Sequence, residues 1–134
     1  MLETAAVDCL FVYGTLRRDT DTDMYRLLAA HATYIGTARY RGRMYRIDYY
    51  PGVVPSDEPV DTVYGEVYRL ADTDLILAAL DEYEGCSPQG EGTPLYVRRA
   101  ECVNLEGQPL LAWIYLYNLP VTGSERIASG DFLA

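Results

Sequence analysis

Residues 63–85 read VYGEVYRLADTDLILAALDEYEG and carry the signatures of one strand followed by one helix. From residue 63 to residue 70 the side chains alternate between two faces, and this period of two predicts a β-strand. Asp72 is a favourable N-cap for a helix that runs to about Glu84, and Gly85 is the expected left-handed stop. Its buried face is predicted from the apolar residues at helical spacing, which are Leu75, Ile76, Ala79, Leu80 and Tyr83.

Three carboxylates, those of Asp81, Glu82 and Glu84, crowd the end of this helix, where the helix dipole favours cations instead. Ionising the least solvated acid therefore costs more, and a carboxyl group that keeps its proton near neutral pH suits general acid–base catalysis. Glu84 follows Leu80 by four residues and so lies on or beside the buried face, whereas Asp81 and Glu82 should point towards solvent. Glu84 is thus the candidate general acid/base; a purely solubilising acidic edge is the alternative.

The rest of the chain is rich in predicted strands, most of them antiparallel to their successors. We predict an α+β fold in which a small closed or nearly closed sheet carries two main helices, as a single domain over residues 1–134. Its core should span about residues 9–118, with a weakly patterned tail at 119–134. The predicted elements are a strand at 8–12, a helix at 21–31, one long bent strand or two with a bulge at 33–47, a turn and short extended piece at 50–55, and a hairpin of residues 95–103 and 109–117.

Composition excludes several classes of function. The formal net charge of -9 argues against nucleic acid and against anionic membranes as partners. The chain contains no lysine, which rules out Schiff-base chemistry, and its single histidine, His31, excludes multi-histidine metal sites. Cys9, Cys86 and Cys102 are odd in number and widely spaced, so no metal site is predicted. Residues 1–7 do not resemble a signal peptide, and no segment has the roughly 20 apolar residues of a membrane span, so we expect a cytoplasmic enzyme or binding protein.

A second candidate site follows the first strand, at Tyr13-Gly14-Thr15-Leu16. A strand that ends in this way just before a helix exposes consecutive backbone N–H groups, which can hold a carboxylate or an oxyanion. Gly14 allows the backbone to approach a ligand closely. A plain strand-to-loop turn is the alternative.

Two tyrosines could complete a site. Tyr96 and Tyr115 could donate hydroxyl hydrogen bonds to a ligand, or be core rings whose hydroxyls the protein itself satisfies. Arg98 or Arg99 could pair with the acidic turn. Between the acidic turn and Tyr96 lies a Gly/Pro-rich segment, residues 86–94, which we expect to be a mobile loop that shapes substrate specificity.

Taken together, these residues resemble the γ-glutamylcyclotransferase-like family, including its γ-glutamylamine cyclotransferase and avirulence-induced-gene-like branches. The likeness keeps its order from about Cys9 to Phe132, and Phe132 stands where the family usually has Trp. The matching segments are Val12-Tyr13-Gly14-Thr15-Leu16-Arg17, Tyr50-Pro51-Gly52, Val63-Tyr64-Gly65-Glu66-Val67-Tyr68, Leu80-Asp81-Glu82-Tyr83-Glu84-Gly85, Tyr96-Val97-Arg98, Ile114-Tyr115-Leu116-Tyr117 and Ser129-Gly130-Asp131-Phe132.

The resemblance implies a small mixed, largely antiparallel β-barrel with a ligand pocket at its mouth. It implies that Glu84 is the general acid/base and that the loop of Tyr13, Gly14, Thr15 and Leu16 holds a γ-glutamyl group. Tyr96 and Tyr115 correspond to positions that line the pocket in relatives. The implied reaction closes the γ-glutamyl group into 5-oxoproline and releases an amine, without a metal or an organic cofactor.

Three functions remain open from the sequence. The first is a cyclotransferase acting on a small γ-glutamyl amide or peptide. The second is a non-catalytic ligand-binding or regulatory module on the same fold, and the third is another acyl transfer from a γ-glutamyl-bearing intermediate. The leaving amine and the oligomeric state are left open as well.

Overall fold

The computed structural model describes residues 7–14, 23–47, 50–83 and 95–132, with the backbone alone described at 23–25 and 82–83. Seven strands and two helices lie within these ranges. In chain order they are β1 (Cys9–Val12), α1 (Asp23–His31), β2 (Ala32–Arg46), β3 (Pro51–Pro55), β4 (Thr62–Leu70), α2 (Thr73–Tyr83), β5 (Tyr96–Leu105), β6 (Gln108–Tyr117) and β7 (Glu125–Arg126).

Five of the strands close into a barrel. They follow the order β2, β4, β1, β6, β5, and β5 pairs back onto β2 at Leu105 and Ala38. The described pairings are antiparallel except that of β1 with β6, which is parallel at Leu10 and Trp113. The prediction of a mixed, largely antiparallel barrel with two helices is therefore confirmed.

Strand β2 is the longest element and organises one side of the molecule. It is a single strand of 15 residues, the first of the two predicted alternatives, and it also contains a β-bulge, because its register against β4 shifts between Tyr34 and Gly36. Its far end extends beyond the barrel, where β3 and β7 both pair with it. The tail thus contributes a strand, and the backbone N–H of Ile127 donates to the carbonyl of Met44 at 2.8 Å.

Local sequence explains two of the junctions. The first bond of α2 runs from the N–H of Ile76 to the carbonyl of Asp72 at 3.0 Å, which makes Asp72 the N-cap as predicted. In the hairpin of β5 and β6, Glu106 and Gly107 both have positive φ, 50° and 90°, as a two-residue type I′ turn requires. The side chain of Asn104 accepts the Gly107 N–H at 2.8 Å and holds that turn.

Alternation along the strands produces two hydrophobic clusters. In β1 the side chains of Cys9 and Phe11 belong to a cluster built from strand residues, which fills the barrel, while Leu10 and Val12 belong to a second cluster that includes residues of α1 and α2. Burial on both faces explains why β1 is a continuous apolar run. The helices therefore cover the outside of the barrel along the β1 side.

The predicted buried face of α2 needs one correction. Ile76 and Leu80 are buried, as predicted, but Leu75 is 59% exposed, and Leu77 is buried in its place. Both placements fit a helical period, because Leu75 and Leu77 lie on opposite flanks of the stripe through Ile76 and Leu80. The buried stripe of α2 is thus rotated towards Leu77, and this rotation also turns Asp81, one helical turn later, towards the barrel.

Asp61 holds the loop before β4 to the outer end of β2. Its carboxylate accepts hydrogen bonds from Ser56 Oγ at 2.7 Å, Arg43 Nε at 2.8 Å and an Arg126 Nη at 2.7 Å, and its side chain is 8% exposed. These three bonds, with Ser56 the largest contributor, hold the pKa of the Asp61 carboxyl well below its usual value near 3.8. The cluster joins β2, β7 and the intervening loop.

The lowered pKa of Asp61 predicts how stability depends on pH. Because the folded-state pKa lies below the unfolded one, the stabilisation is complete above about pH 5, begins to be lost as the pH falls below about 3.8, and continues to fall down to the folded-state pKa. Asp61→Asn should therefore have a lower free energy of unfolding than the wild type near neutral pH, and the gap should narrow below about pH 4. Urea unfolding followed by circular dichroism measures both. Asp57→Asn, an exposed carboxylate of the same loop, is the control; a gap for Asp61→Asn that is constant down to about pH 3 would contradict the assignment.

Candidate active site

One end of the barrel gathers the predicted site residues that the structure describes. Because β1 runs parallel to β6, both strands finish at the same end, and β5 begins there with Tyr96 opposite Tyr117. Helix α2 ends above the same strands, since the side chain of Asp81 contacts β5 and β6. Tyr13, Gly14, Tyr96 and Tyr115 all lie in this region.

Tyr13 ties the end of β1 to β6. Its ring is buried with the barrel cluster, and its hydroxyl donates to the backbone carbonyl of Tyr115 at 2.5 Å. The side chain of Tyr115 belongs to the helix-side cluster instead. The two rings therefore occupy different sides of the sheet, and the hydrogen bond joins the Tyr13 side chain to the backbone of Tyr115.

Gly14 and Tyr96 both contact Pro51, the first residue of β3. A Cβ at Gly14 would lie 2.9 Å from Pro51 Cγ, so close packing requires glycine there. The Tyr96 hydroxyl donates to the Pro51 carbonyl at 2.6 Å, and its ring packs edge-on against Tyr117 at a centroid distance of 5.7 Å. The Tyr50-Pro51-Gly52 segment, which the resemblance includes, thus supports the end of β1 and the start of β5.

Asp81 is not the solvent-facing residue that its position in the acidic turn predicted. Its side chain is 21% exposed, and Arg98 donates to it twice, from Nε to Oδ1 at 2.7 Å and from Nη2 to Oδ2 at 3.1 Å. The Tyr115 hydroxyl also donates to Oδ1, at 2.7 Å. The prediction was wrong because Asp81 lies one turn after Leu77, which is 5% exposed and was not assigned to the buried face.

The pairing of an arginine with the acidic turn is confirmed for Arg98. Its guanidinium carbon lies 4.4 Å from the centroid of the Trp113 ring, so the ring supports the ion pair from beneath. The sequence favoured Arg98 over Arg99 as the partner of the acidic turn, because Arg98 lies on the same face of β5 as Tyr96. Nothing in the sequence identified Asp81 as its partner among the three acids.

Several predicted site residues lie outside the described residues. These are Glu84, Thr15 and Leu16, together with Gly85 and the segment 86–94. Their assignments therefore stay predictions. The roles of Tyr13, Gly14, Tyr96 and Tyr115 towards a ligand stay predictions too, although their protein contacts are now defined.

The described residues were also compared with what a metal site and a membrane span would require. Among residues 7–14, 23–47, 50–83 and 95–132, no group of three or more His, Cys, Asp and Glu side chains is arranged to hold a metal ion. In the same ranges neither helix is long and apolar enough to cross a membrane; they have 9 and 11 residues.

A separate groove of about 490 Å³ lies between β2 and β5, lined by none of the predicted site residues. The Tyr40 hydroxyl donates there to Glu101 at 2.7 Å. Burial, and then this carboxylate, raise the pKa of Tyr40. The groove is thus distinct from the end of the barrel where Tyr13 and Asp81 lie.

A closed, largely antiparallel five-stranded barrel, with two helices outside it and Tyr13-Gly14 at the end of β1, defines the fold class of the protein. The chain matches the family described as Gamma-glutamyl cyclotransferase, AIG2-like over residues 10–134, and it belongs to that family. The resemblance found in the sequence is confirmed.

Individual relatives agree with this membership. The chain is 32% identical over 124 residues to the gamma-glutamylcyclotransferase family protein YtfP of Escherichia coli strain K12, covering 92% of this chain and 95% of that protein. It is 31% identical over 118 residues to the gamma-glutamylaminecyclotransferase of Bos taurus, covering 79% of this chain and 63% of that protein. The solution NMR structure of ytfP from Escherichia coli superposes with a TM-score of 0.65 at 32% identity, covering 93% of this chain and 96% of that one.

Proposed function

We propose that the protein is a γ-glutamyl cyclotransferase, which converts a small γ-glutamyl amide or peptide into 5-oxoproline and a free amine. Family membership supports the reaction type. The observation that carries the proposal is the double role of Tyr115, whose carbonyl accepts the Tyr13 hydroxyl and whose own hydroxyl donates to Asp81. One residue thereby connects the strand that leads into the Tyr13–Leu16 loop with the helix that leads into Glu84.

The reaction needs little from the protein. The α-amine nitrogen of the γ-glutamyl group attacks its own γ-carbonyl carbon, a new C–N bond closes the five-membered ring, and the original amide C–N bond breaks. One proton moves from the attacking nitrogen to the departing one, so the reaction consumes no water. Because the nucleophile is already part of the substrate, its effective concentration is high and no protein nucleophile is required.

Glu84 is proposed to move that proton. The Glu84 carboxylate takes the proton that the α-amine nitrogen carries in excess once it has bonded to the γ-carbonyl carbon, and the resulting carboxylic acid, whose pKa is raised towards neutral, returns that proton to the leaving nitrogen. Backbone N–H groups of Gly14, Thr15 and Leu16 would orient the γ-glutamyl group or stabilise the oxyanion of the tetrahedral intermediate. No step of this scheme requires a metal ion or an organic cofactor.

Tyr96 and Tyr115 are proposed to line the pocket in a more specific way than the sequence indicated. Each hydroxyl already donates its proton within the protein, to the Pro51 carbonyl and to Asp81 respectively. Because both hydroxyl protons are engaged within the protein, we expect the two tyrosines to shape the wall of the pocket rather than to donate hydrogen bonds to the ligand.

A substrate panel tests the proposal. Wild-type protein is incubated with γ-glutamyl amines and γ-glutamyl dipeptides, and 5-oxoproline is measured by mass spectrometry. The α-glutamyl isomers are matched controls, since their γ-carboxyl group bears no leaving amine. We expect 5-oxoproline from at least one γ-linked compound and none from its α-linked isomer. Binding without product across the panel would favour the non-catalytic module, and a new γ-glutamyl adduct would favour another acyl transfer.

A further inference from the structure

The carboxylate of Asp81 joins the last described turn of α2 to the β5–β6 hairpin through hydrogen bonds. Asp81 accepts two hydrogen bonds from Arg98 and one from Tyr115. Arg98 and Tyr115 are directly opposite one another in the register of β5 and β6. The carboxylate is therefore held by a cross-strand pair, and we call Asp81, Arg98 and Tyr115 the Asp81 cluster.

The Asp81 cluster differs from two exposed ion pairs among the described residues. The side chains of Asp81 and Arg98 are 21% and 24% exposed, whereas Arg46–Glu125 and Arg69–Asp8 pair at 3.9 and 3.8 Å with every partner about half exposed or more. A two-point arginine–carboxylate pair is also stronger and more directional than a single contact. Stacking of Arg98 on Trp113 further limits where the guanidinium can lie.

Helix stability alone does not account for this arrangement. An anion in the last turn opposes the helix dipole, so the cluster places Asp81 where a cation would stabilise the helix better. The cluster instead fixes the position of the Asp81 carboxylate relative to β5 and β6. Tyr115 also connects the cluster to β1, because its carbonyl accepts a hydrogen bond from the Tyr13 hydroxyl.

We propose that Asp81 is a positioning residue, and that the Asp81 cluster fixes the end of α2 against β5 and β6 and thereby sets the place of Glu84 relative to the Tyr13–Leu16 loop. The proposal rests on the proposed role of Glu84. Glu84 follows Asp81 by three positions, and a chain advances by at most about 3.6 Å per residue, so fixing Asp81 restricts the position of Glu84. Asp81 itself need not touch the substrate.

Kinetics of Asp81→Asn provide the first test. Asparagine keeps the shape and one acceptor but loses the ion pair, so the helix end should be less well fixed. Misplacement of a catalytic group by about 1 Å can cost a hundredfold in rate, and we expect kcat for 5-oxoproline release to fall by about 10- to 100-fold. The value of KM should stay within about twofold, because the substrate contacts are unchanged.

Two further variants separate positioning from loss of a charge. Arg98→Gln should lower kcat as Asp81→Asn does, and Arg98→Lys should recover part of the loss because a charged donor returns. The double variant should be no worse than the poorer single variant, since the two side chains act as one unit. Asp61→Asn is the matched control: it breaks another buried arginine–carboxylate cluster, whose hydrogen-bond partners lie in β2, β7 and the loop before β4 and not in α2, β5 or β6, and it should leave kcat unchanged.

A measurement independent of turnover completes the test. Backbone amide exchange across residues 78–83 should be about tenfold faster in Asp81→Asn than in the wild type, and unchanged in Asp61→Asn. If the wild type releases no 5-oxoproline, the proposed function fails, and exchange alone decides the role of Asp81: unchanged exchange overturns the positioning proposal, and faster exchange supports it. If the wild type is active, an Asp81→Asn variant with wild-type kcat, a rise confined to KM, or an equal loss in Asp61→Asn would each overturn it.

Discussion

Glu84→Gln is expected to remove most of the 5-oxoproline-forming activity. Glutamine keeps the size of the side chain but cannot accept and return a proton. General acid–base groups contribute about 10²- to 10⁴-fold, so kcat should fall by that factor, which raises the activation free energy by about 3–5 kcal/mol. The value of KM should change little, because the amide can keep the polar contacts of the ground state. Initial rates of 5-oxoproline release across substrate concentrations measure both constants.

The matched control for this variant is Glu58→Gln, an identical chemical change at an exposed glutamate of the loop before β4. Its kcat should equal that of the wild type, and its urea unfolding curve should overlay those of the wild type and Glu84→Gln. Wild-type turnover by a folded Glu84→Gln protein would refute the assignment of Glu84. A loss of both activity and stability would point to a structural role for that residue.

Leu80→Ala is expected to have the largest effect on stability among the variants considered. Leu80 is fully buried, at 0% exposure, in the cluster between α2 and the barrel. Removing a buried leucine loses transfer free energy and leaves a cavity, at a cost of about 2–5 kcal/mol. Because Leu80 directly precedes Asp81, partial unfolding should begin at the helix end that leads into the candidate site. Urea unfolding followed by circular dichroism gives the free energy.

Leu75→Ala makes the same substitution in the same helix at a side chain that is 59% exposed. Its free energy of unfolding should lie within about 0.5 kcal/mol of the wild type. The pair therefore tests the rotated buried face of α2 as well as the importance of its core contact. Equal losses in the two variants would mean that the helix is turned the other way and that Asp81 cannot face the hairpin.

Local patterns were sufficient for much of the fold. Alternation predicted β4, the capping residue Asp72 predicted the start of α2, and the turn residues near Gly107 predicted the β5–β6 hairpin. Each of these signals is contained in a few consecutive residues and reports the conformation of those same residues. Closure of the barrel through β2 and β5 joins distant segments, so the strand pattern predicted only a closed or nearly closed sheet, and the family resemblance implied the barrel.

Less of the candidate site could be predicted from the sequence, because its contacts join residues that are far apart in the chain. Asp81 and its partners Arg98 and Tyr115 are 17 and 34 residues apart in the chain, so no local pattern joins them. Helical periodicity assigned Leu75 to the buried stripe instead of Leu77. The predicted buried face of α2 was therefore rotated away from Asp81, so that Asp81 was predicted to face solvent. Hydrophobicity alone cannot choose between two leucines on opposite flanks of one stripe.

Strand β7 shows a further reason. It has two residues, Glu125 and Arg126, which carry no periodic signal at all. It forms because the overhanging end of β2 offers backbone partners, and because Arg126 reaches Asp61 at 2.7 Å. Such a strand depends on the surface that receives it more than on its own sequence.

Isotope incorporation tests the central claim, intramolecular cyclisation, most directly. A γ-glutamyl substrate from the panel is turned over by wild-type protein in water enriched in ¹⁸O, and the products are weighed by mass spectrometry. Attack by the substrate's own α-amine consumes no water, so the account predicts 5-oxoproline without ¹⁸O beside one equivalent of free amine. Glutamate carrying one ¹⁸O atom in its γ-carboxyl group would show that water is the nucleophile, and it would contradict the account.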